Sequence, residues 1–297
     1  MKEKYNKPPI VVPAQIKLLE DRGLIIPDKE LAEKVLSNIN YYRLSAYFKS
    51  FQKEKDKFDG GAKFDDILEL YEFDRKLRHF VLIAIEIIEI LIKTKIAYLL
   101  AIKSGPYSYR DKNNFNPNKL VKFEEWFAQC ERNIQRKTET FVGYHFEKYE
   151  GFLPVWKFVE VISFSMASKM FSNLKYETQC LISGDFKYST SFLENSLYKL
   201  SNTRNLCAHH MRAWNREIRP KLSLKNAKFM GLNADKVGIV LCLLNDMLEK
   251  TYFDNNFKKK WRIEIENLID GHPCVADFWE HIGLPENWKE HPLWKKP

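Results

Sequence analysis

The sequence predicts an all-α protein, on three observations. Apolar residues recur at three- and four-residue spacing through most of the chain, and Gly and Pro divide these stretches at helix-sized intervals. No run alternates convincingly as strands do. With 297 residues, 45% of them hydrophobic and 14% aromatic, the chain can fill a substantial core. It divides into an N-terminal helical region (1–60), a helical core (61–222) and a helical C-terminal extension (223–297).

Residues 14 to 55 read as two helices. The first ends at Gly23, and Pro27-Asp28 opens the second, DKELAEKVLSNINYYRLSAYFKSF. That second helix is aromatic and basic. Tyr41, Tyr42, Tyr47, Phe48 and Phe51 at helical spacing fit a core seam, and together with Arg43 and Lys49 they also fit a surface that stacks and clamps RNA bases. The stretch KEKDKFDGGAKF, broken by Gly60-Gly61, reads as an exposed loop. A long helix follows from about Asp65 to Ser104. It carries a polar stripe of Glu86, Glu89 and Lys93, with Glu89 and Lys93 paired at i, i+4. Its apolar part, Phe80 to Ile102, has the length of a membrane span, but Glu86, Glu89, Lys93 and Lys95 interrupt it, so a buried helix of a membrane-free protein is expected.

Helical composition returns over 119–139. His145 falls in a connecting segment, where a surface or packing role is the simplest expectation, and Pro154 sits near the start of a helix bearing Trp156, Val159 and Ile162. From about Thr190 a further helix runs through STSFLENSLYKLSNTRNLCAHHMRAWNRE, with Pro220 as its latest possible end. The extension holds one more amphipathic helix, VGIVLCLLNDMLEKTYF, and the basic run FKKKWR.

Charge and cysteine use narrow the function classes. The formal net charge is +9, with 48 Lys and Arg against 39 Asp and Glu, which favours polyanionic partners. Five scattered cysteines, Cys130, Cys180, Cys207, Cys242 and Cys274, contain no CxxC pair and are expected as reduced thiols. No apolar region follows the first basic residues, so export is not expected and the cytoplasm is the expected location.

The chemistry concentrates in RNLCAHH. With Arg204 at zero on a helical wheel, Leu193, Leu197, Leu200 and Met211 fall within roughly 40° of it. The guanidinium thus interrupts an apolar stripe and needs a specific partner. Arg212, Asn205 and His209 lie at roughly 80°, 100° and 140°, whereas His210 lies at about 240° on the other flank. Between Lys199 and Lys228 there are eight basic residues (Lys199, Arg204, Arg212, Arg216, Arg219, Lys221, Lys225, Lys228) and one acid, Glu217.

A cationic wall with a histidine that titrates near neutral pH suits phosphodiester transesterification. The RNA's 2′-OH would be the nucleophile, His209 the base or acid, and Arg204 the stabiliser of charge on phosphate. Asn205, His210 and Arg212 would adjoin these two, Arg216, Arg219 and Lys221 would bind RNA, and Glu86 and Glu89 are candidates for a supporting role. A structural alternative fits the spacing as well: Arg204 pairs with Glu86 or Glu89 in the core, and His209-His210 caps a helix interface. No metal site and no cofactor are expected, because adjacent histidines point about 100° apart and no HExxH or carboxylate pair completes a site.

These residues resemble a known family. RNLCAHH fits the R-x4-H signature of the HEPN ribonuclease superfamily. The ordered segments RGLIIPD, INYYRLSAYFKSF, LYEFDRKLRHF, EIIEILIKTKIAY, PVWKFVEVISF and RNLCAHHMRAWNR resemble the Abi-like abortive-infection proteins of the AbiD and AbiF type. The resemblance implies a HEPN-like helical bundle with added N-terminal helices and a C-terminal extension. It further implies a metal-independent endoribonuclease toxin of phage defence, or of a toxin-antitoxin system, with Arg204 and His209 catalytic. A homodimer that builds a composite site, and restraint by a partner, in some relatives a small non-coding RNA, are also implied. Because Arg204 and His209 sit about 140° apart, their cooperation calls for a second helix, most simply that of another protomer. A non-catalytic RNA-binding scaffold and a protein–protein sensor module remain the alternatives.

Overall fold

The computed structural model describes residues 8–136, 139–149, 151–251, 255–272, 275 and 277–295. Among them are thirteen α-helices and one two-stranded hairpin, so the chain is helical as its periodicity predicts. It forms two compact units, one of residues 1–77 with 265–278, the other of residues 78–264 with 279–297.

The first unit begins with α1 (Val12–Asp21), which has Pro13 in its first turn and stops at Gly23, whose φ of +90° a side chain would resist. Asp28 caps α2 (Lys29–Asn38) by accepting from the Leu31 amide at 2.9 Å. The single helix expected over 28–51 is in fact two. Ile39 is extended, and the Asn40 side chain accepts from the Tyr42 amide at 2.8 Å to start α3 (Tyr41–Phe48). Asn offers the backbone this local bond as readily as it accepts a helical position, which is why periodicity alone misses the break.

Part of the expected loop is a short antiparallel hairpin, β1 (Gln52–Glu54) and β2 (Lys57–Phe58), turned at Asp56 with φ +63°. Tyr47, Phe48, Phe51 and Phe58 are buried, and rings meet edge-on at 5.5 Å in the pairs Tyr41–Phe48, Tyr47–Tyr71 and Phe48–Phe58. The aromatic seam is therefore core, although Tyr42 stays 85% exposed. Tyr47 donates its hydroxyl to the buried Asp74 carboxylate at 2.6 Å.

α4 (Phe64–Ser104) contributes to the first unit through Leu77 and to the second from Arg78. Glu89 and Lys93 pair on it at 2.8 Å, as their spacing predicts. No helix among the described residues is long and apolar enough to cross a membrane. The second unit continues with α5 (Leu120–Gln135), α6 (Thr140–Lys148), α7 (Val155–Val161), α8 (Phe164–Asn173), α9 (Tyr176–Asp185) and α10 (Thr190–Ala208). α10 packs on α8 and α9, and α8 packs on α5.

His145 lies on α6 rather than in a connection. It is buried, with Nε2 3.0 Å from the Phe152 carbonyl oxygen, which makes it a packing residue as expected. α11 (Val237–Leu248) is buried along its whole length, and α12 (Asn255–Asp270) and α13 (Phe278–Ile282) follow it. The Trp261 indole of α12 donates to the Phe80 carbonyl of α4 at 2.8 Å. Cys130, Cys180, Cys207 and Cys242 are free thiols, and Cys274 lies outside the described residues.

Candidate functional site

The site is built on α10 in the second unit. Ser189 caps the helix by accepting from the Phe192 amide at 3.2 Å. Leu193, Leu197 and Leu200 are fully buried, and the next residue on their line is Arg204. It is half-buried because the helix ends one turn later. The guanidinium Nη1 donates to Asn205 Oδ1 at 3.4 Å, and among the described residues no carboxylate pairs with it. Glu89 is held by Lys93, and Glu86 is exposed, so the alternative pairing of Arg204 with either acid does not form here.

α10 ends within the bound that Pro220 sets, but before some of the residues placed on its wheel. The helix stops at Ala208, well before Pro220. The Met211 amide donates to the Leu206 carbonyl and the His210 amide to the Cys207 carbonyl, each at 3.0 Å, the paired bonds that close a helix around a left-handed residue. That residue is His210, with φ +56°. Glycine usually fills this position, and its absence hides the stop from the sequence, although histidine is among the side chains that tolerate it best. Past the turn, Ala213 and Trp214 are buried, and the Trp214 ring meets His281 edge-on at 5.3 Å, drawing the chain away from the helix axis.

The wheel positions of His210, Met211 and Arg212 therefore do not apply. That of His209 does, because its amide still donates to the Asn205 carbonyl at 3.0 Å. His209 and His210 are exposed, and Asn205 and Arg212 are half-buried.

The cationic wall is thinner than the count of eight suggests. Arg219 pairs with Glu217 at 2.6 Å, Lys221 with Asp235 at 3.1 Å and Lys228 with Asp246 at 3.2 Å. Two of those acids lie beyond the window in which the basic residues were counted. Arg216 is exposed.

Lys199 is not on the wall at all. It is fully buried, and its Nζ donates to the carbonyls of Ile218, Pro220 and Ala234 at 2.7, 3.1 and 3.3 Å. Burial pushes this ammonium down to about 8, with Asp235 pulling it up and Arg219 pushing it further down. It ties the returning segment 211–236 to the helix that carries Arg204. The signal for this was present: Ser196, Lys199 and Thr203 recur at i, i+3, i+7, and all three are buried on one side of α10.

Arg43 and Lys49 lie in the first unit. Arg43 donates from Nε to the Tyr71 hydroxyl at 3.3 Å, and Lys49 is exposed. Among the described residues no group of three or more His, Cys, Asp or Glu gathers as metal ligands.

Fold and site together define a helical protein that presents, at the end of α10, two exposed histidines and an arginine with no carboxylate partner among the described residues. Residues 34–215 match the model of the Abi-like protein family, a stretch from within α2 to just past the turn at His210. The chain belongs to that family, and membership implies a part in abortive-infection phage defence. No curated protein and no solved structure matches the chain.

Proposed function

We propose that the protein is a HEPN-type, metal-independent endoribonuclease that acts as the toxin of its defence system. The observation that carries this reading is the state of Arg204. Its guanidinium is half-buried at the end of an apolar stripe and lacks a carboxylate partner, so a phosphate is the partner that would satisfy it. His209 stands one turn further on, exposed and without a side-chain hydrogen bond among the described residues.

The step balances within the substrate. His209 removes the 2′-OH proton, the 2′ oxygen attacks phosphorus, and the bond from phosphorus to the 5′ oxygen breaks. The leaving oxygen takes a proton from a second imidazole or from water, and Arg204 neutralises charge on the non-bridging oxygens. The products are a 2′,3′-cyclic phosphate and a 5′-hydroxyl. The roughly 140° between Arg204 and His209 on their helix argues for a homodimer in which one protomer's arginine serves the other's histidine. Restraint by a partner, a small non-coding RNA as the family resemblance suggests, would let the host carry the toxin.

The test uses purified protein, stripped of bound nucleic acid, with single-stranded RNA in EDTA. Wild type is expected to cut, and Arg204→Ala and His209→Ala to leave the RNA intact. Intact RNA under a large excess of wild type would overturn the reading.

A further inference from the structure

The exposed face of α10 is polar in a regular way. Ser191, Asn195, Tyr198, Asn202, Asn205 and His209 follow one another at spacings of four and three, which places them within an arc of about 80°. None of the six is buried, and Tyr198 is 52% exposed. From Ser191 to His209 the row is about 27 Å long by helical rise.

Two hollows adjoin its N-terminal half, and a third opens beside one of them. One of about 410 Å³ lies between α8 and α10 and includes Lys169, Ser172, Asn195 and Tyr198. It shares Lys169 and Ser172 with a hollow of about 350 Å³ between α5 and α8, which adds Lys122 and Glu125. It shares Ser191 with another of about 460 Å³ that reaches Ser223, Lys225 and Asn226. Shared rims link the three into a stepped trough that runs from α5 across α8 to the N-terminal half of α10.

Its charges favour an anion. Lys122, Lys169 and Lys225 are exposed and make no ion pair among the described residues. Glu194 is already held by Lys119 and the Ser172 hydroxyl, which leaves Glu125 as the acid in the trough without a partner among the described residues. Asn195 accepts from the Ser223 amide at 3.0 Å through Oδ1, which leaves its Nδ2 donors without a partner among the described residues.

We propose that this trough is a track for single-stranded RNA, with Tyr198 as a stacking platform and Lys122, Lys169 and Lys225 as phosphate contacts, continued beyond the hollows by the surface row Asn202, Asn205 and His209. The inference rests on the ribonuclease reading only for that last point. A duplex fits poorly, because its bases are stacked inward and its readable groove is shallow, whereas an exposed phenol and a row of amides and hydroxyls suit splayed bases.

The test measures fluorescence anisotropy with a labelled single-stranded RNA of about 12 nucleotides, within known single-strand site sizes, and with its duplex. The parent is full-length His209→Ala, so that binding is read without cleavage. Tyr198→Ala is expected to weaken single-strand binding roughly 5- to 150-fold, the range of one base stack. The triple change Lys122→Gln/Lys169→Gln/Lys225→Gln is expected to lower the slope of log affinity against log salt by about 2. Thermal melting and sedimentation confirm fold and oligomeric state.

Variants that bind like the parent overturn the track, as does a change in sedimentation with RNA affinity unchanged, which would mark the face as an interface between copies. If wild type cuts RNA while the variants bind like the parent, the track alone fails. Binding that the variants weaken, with no cleavage by wild type, supports the track and removes the ribonuclease reading.

Discussion

Lys199 offers a quantitative check on how the site is held. Its ammonium is fully buried and donates to three backbone carbonyls of the segment that returns past α10. The fall of its pKa from 10.5 to about 8, the net of burial, Asp235 and Arg219, corresponds to about 3 kcal/mol against the charged form. Three hydrogen bonds from a charged donor, at about 1.5 to 3 kcal/mol each, outweigh it. Lys199→Met keeps much of the volume, removes the donor and strands three acceptors, so a loss of about 3 kcal/mol is expected.

The assay is urea unfolding followed by tryptophan fluorescence, combined with limited proteolysis. The midpoint should fall with the m-value unchanged, and new cleavage should appear within 211–236. Lys221→Met is the control. It removes a 58%-exposed partner of Asp235 from the same segment and should cost under about 1 kcal/mol. A Lys199→Met loss no larger than the control's, with the proteolysis pattern unaltered, would show that other contacts hold the segment.

Three further outcomes are expected. His210→Gly relieves the left-handed backbone at φ +56°, should stabilise the protein by about 1 kcal/mol, raising Tm by about 2 °C, and should leave RNA cleavage intact; lost cleavage would make His210 a participant. Alkaline pH should destabilise the fold. Burial raises Cys130, Cys242 and Tyr109 to about 12 and raises Tyr188 as well, so the folded chain keeps protons that the unfolded chain releases from about pH 9 upward. Lys199, lowered to about 8, and Lys250, also lowered by burial, act oppositely, but they are two groups against the four above and Tyr41, so Tm measured from pH 8 to 11 should fall increasingly above 9, and a flat or rising curve would contradict this. Finally, mixing Arg204→Ala with His209→Ala protein should restore part of the cleavage that each lacks alone, because a mixed dimer contains one intact pair; no recovery after subunit exchange would place both residues of a site on one protomer.

Much of this architecture is legible in the sequence where long-range periodicity decides it. The 64–104 helix, the Glu89–Lys93 pair, the stop at Gly23 and the apolar line leading to Arg204 follow from spacing. Local hydrogen bonding is harder to read. The Asn40 cap splits an apparently continuous helix, and His210 in a glycine's place ends α10 where no glycine signals it.

Charge is legible as a total but not as a location. Asp235 and Asp246 come from later in the chain to pair with Lys221 and Lys228, and Lys199 turns inward to carbonyls contributed by three separate residues. Such partners meet only through tertiary packing. The row from Ser191 to His209 could have been found by extending the wheel toward the N-terminus of α10, where polar residues recur on His209's side.

The central claim is the reaction at Arg204 and His209, and the ends of the RNA report it most directly. Mass spectrometry of the products of a defined single-stranded RNA, cut in EDTA by the wild-type protein, should find 2′,3′-cyclic phosphate and 5′-hydroxyl termini, and a 2′-deoxy substitution at the cut site should block that cut. Products ending in 3′-hydroxyl and 5′-phosphate, or cleavage that persists at the 2′-deoxy position, would contradict the mechanism.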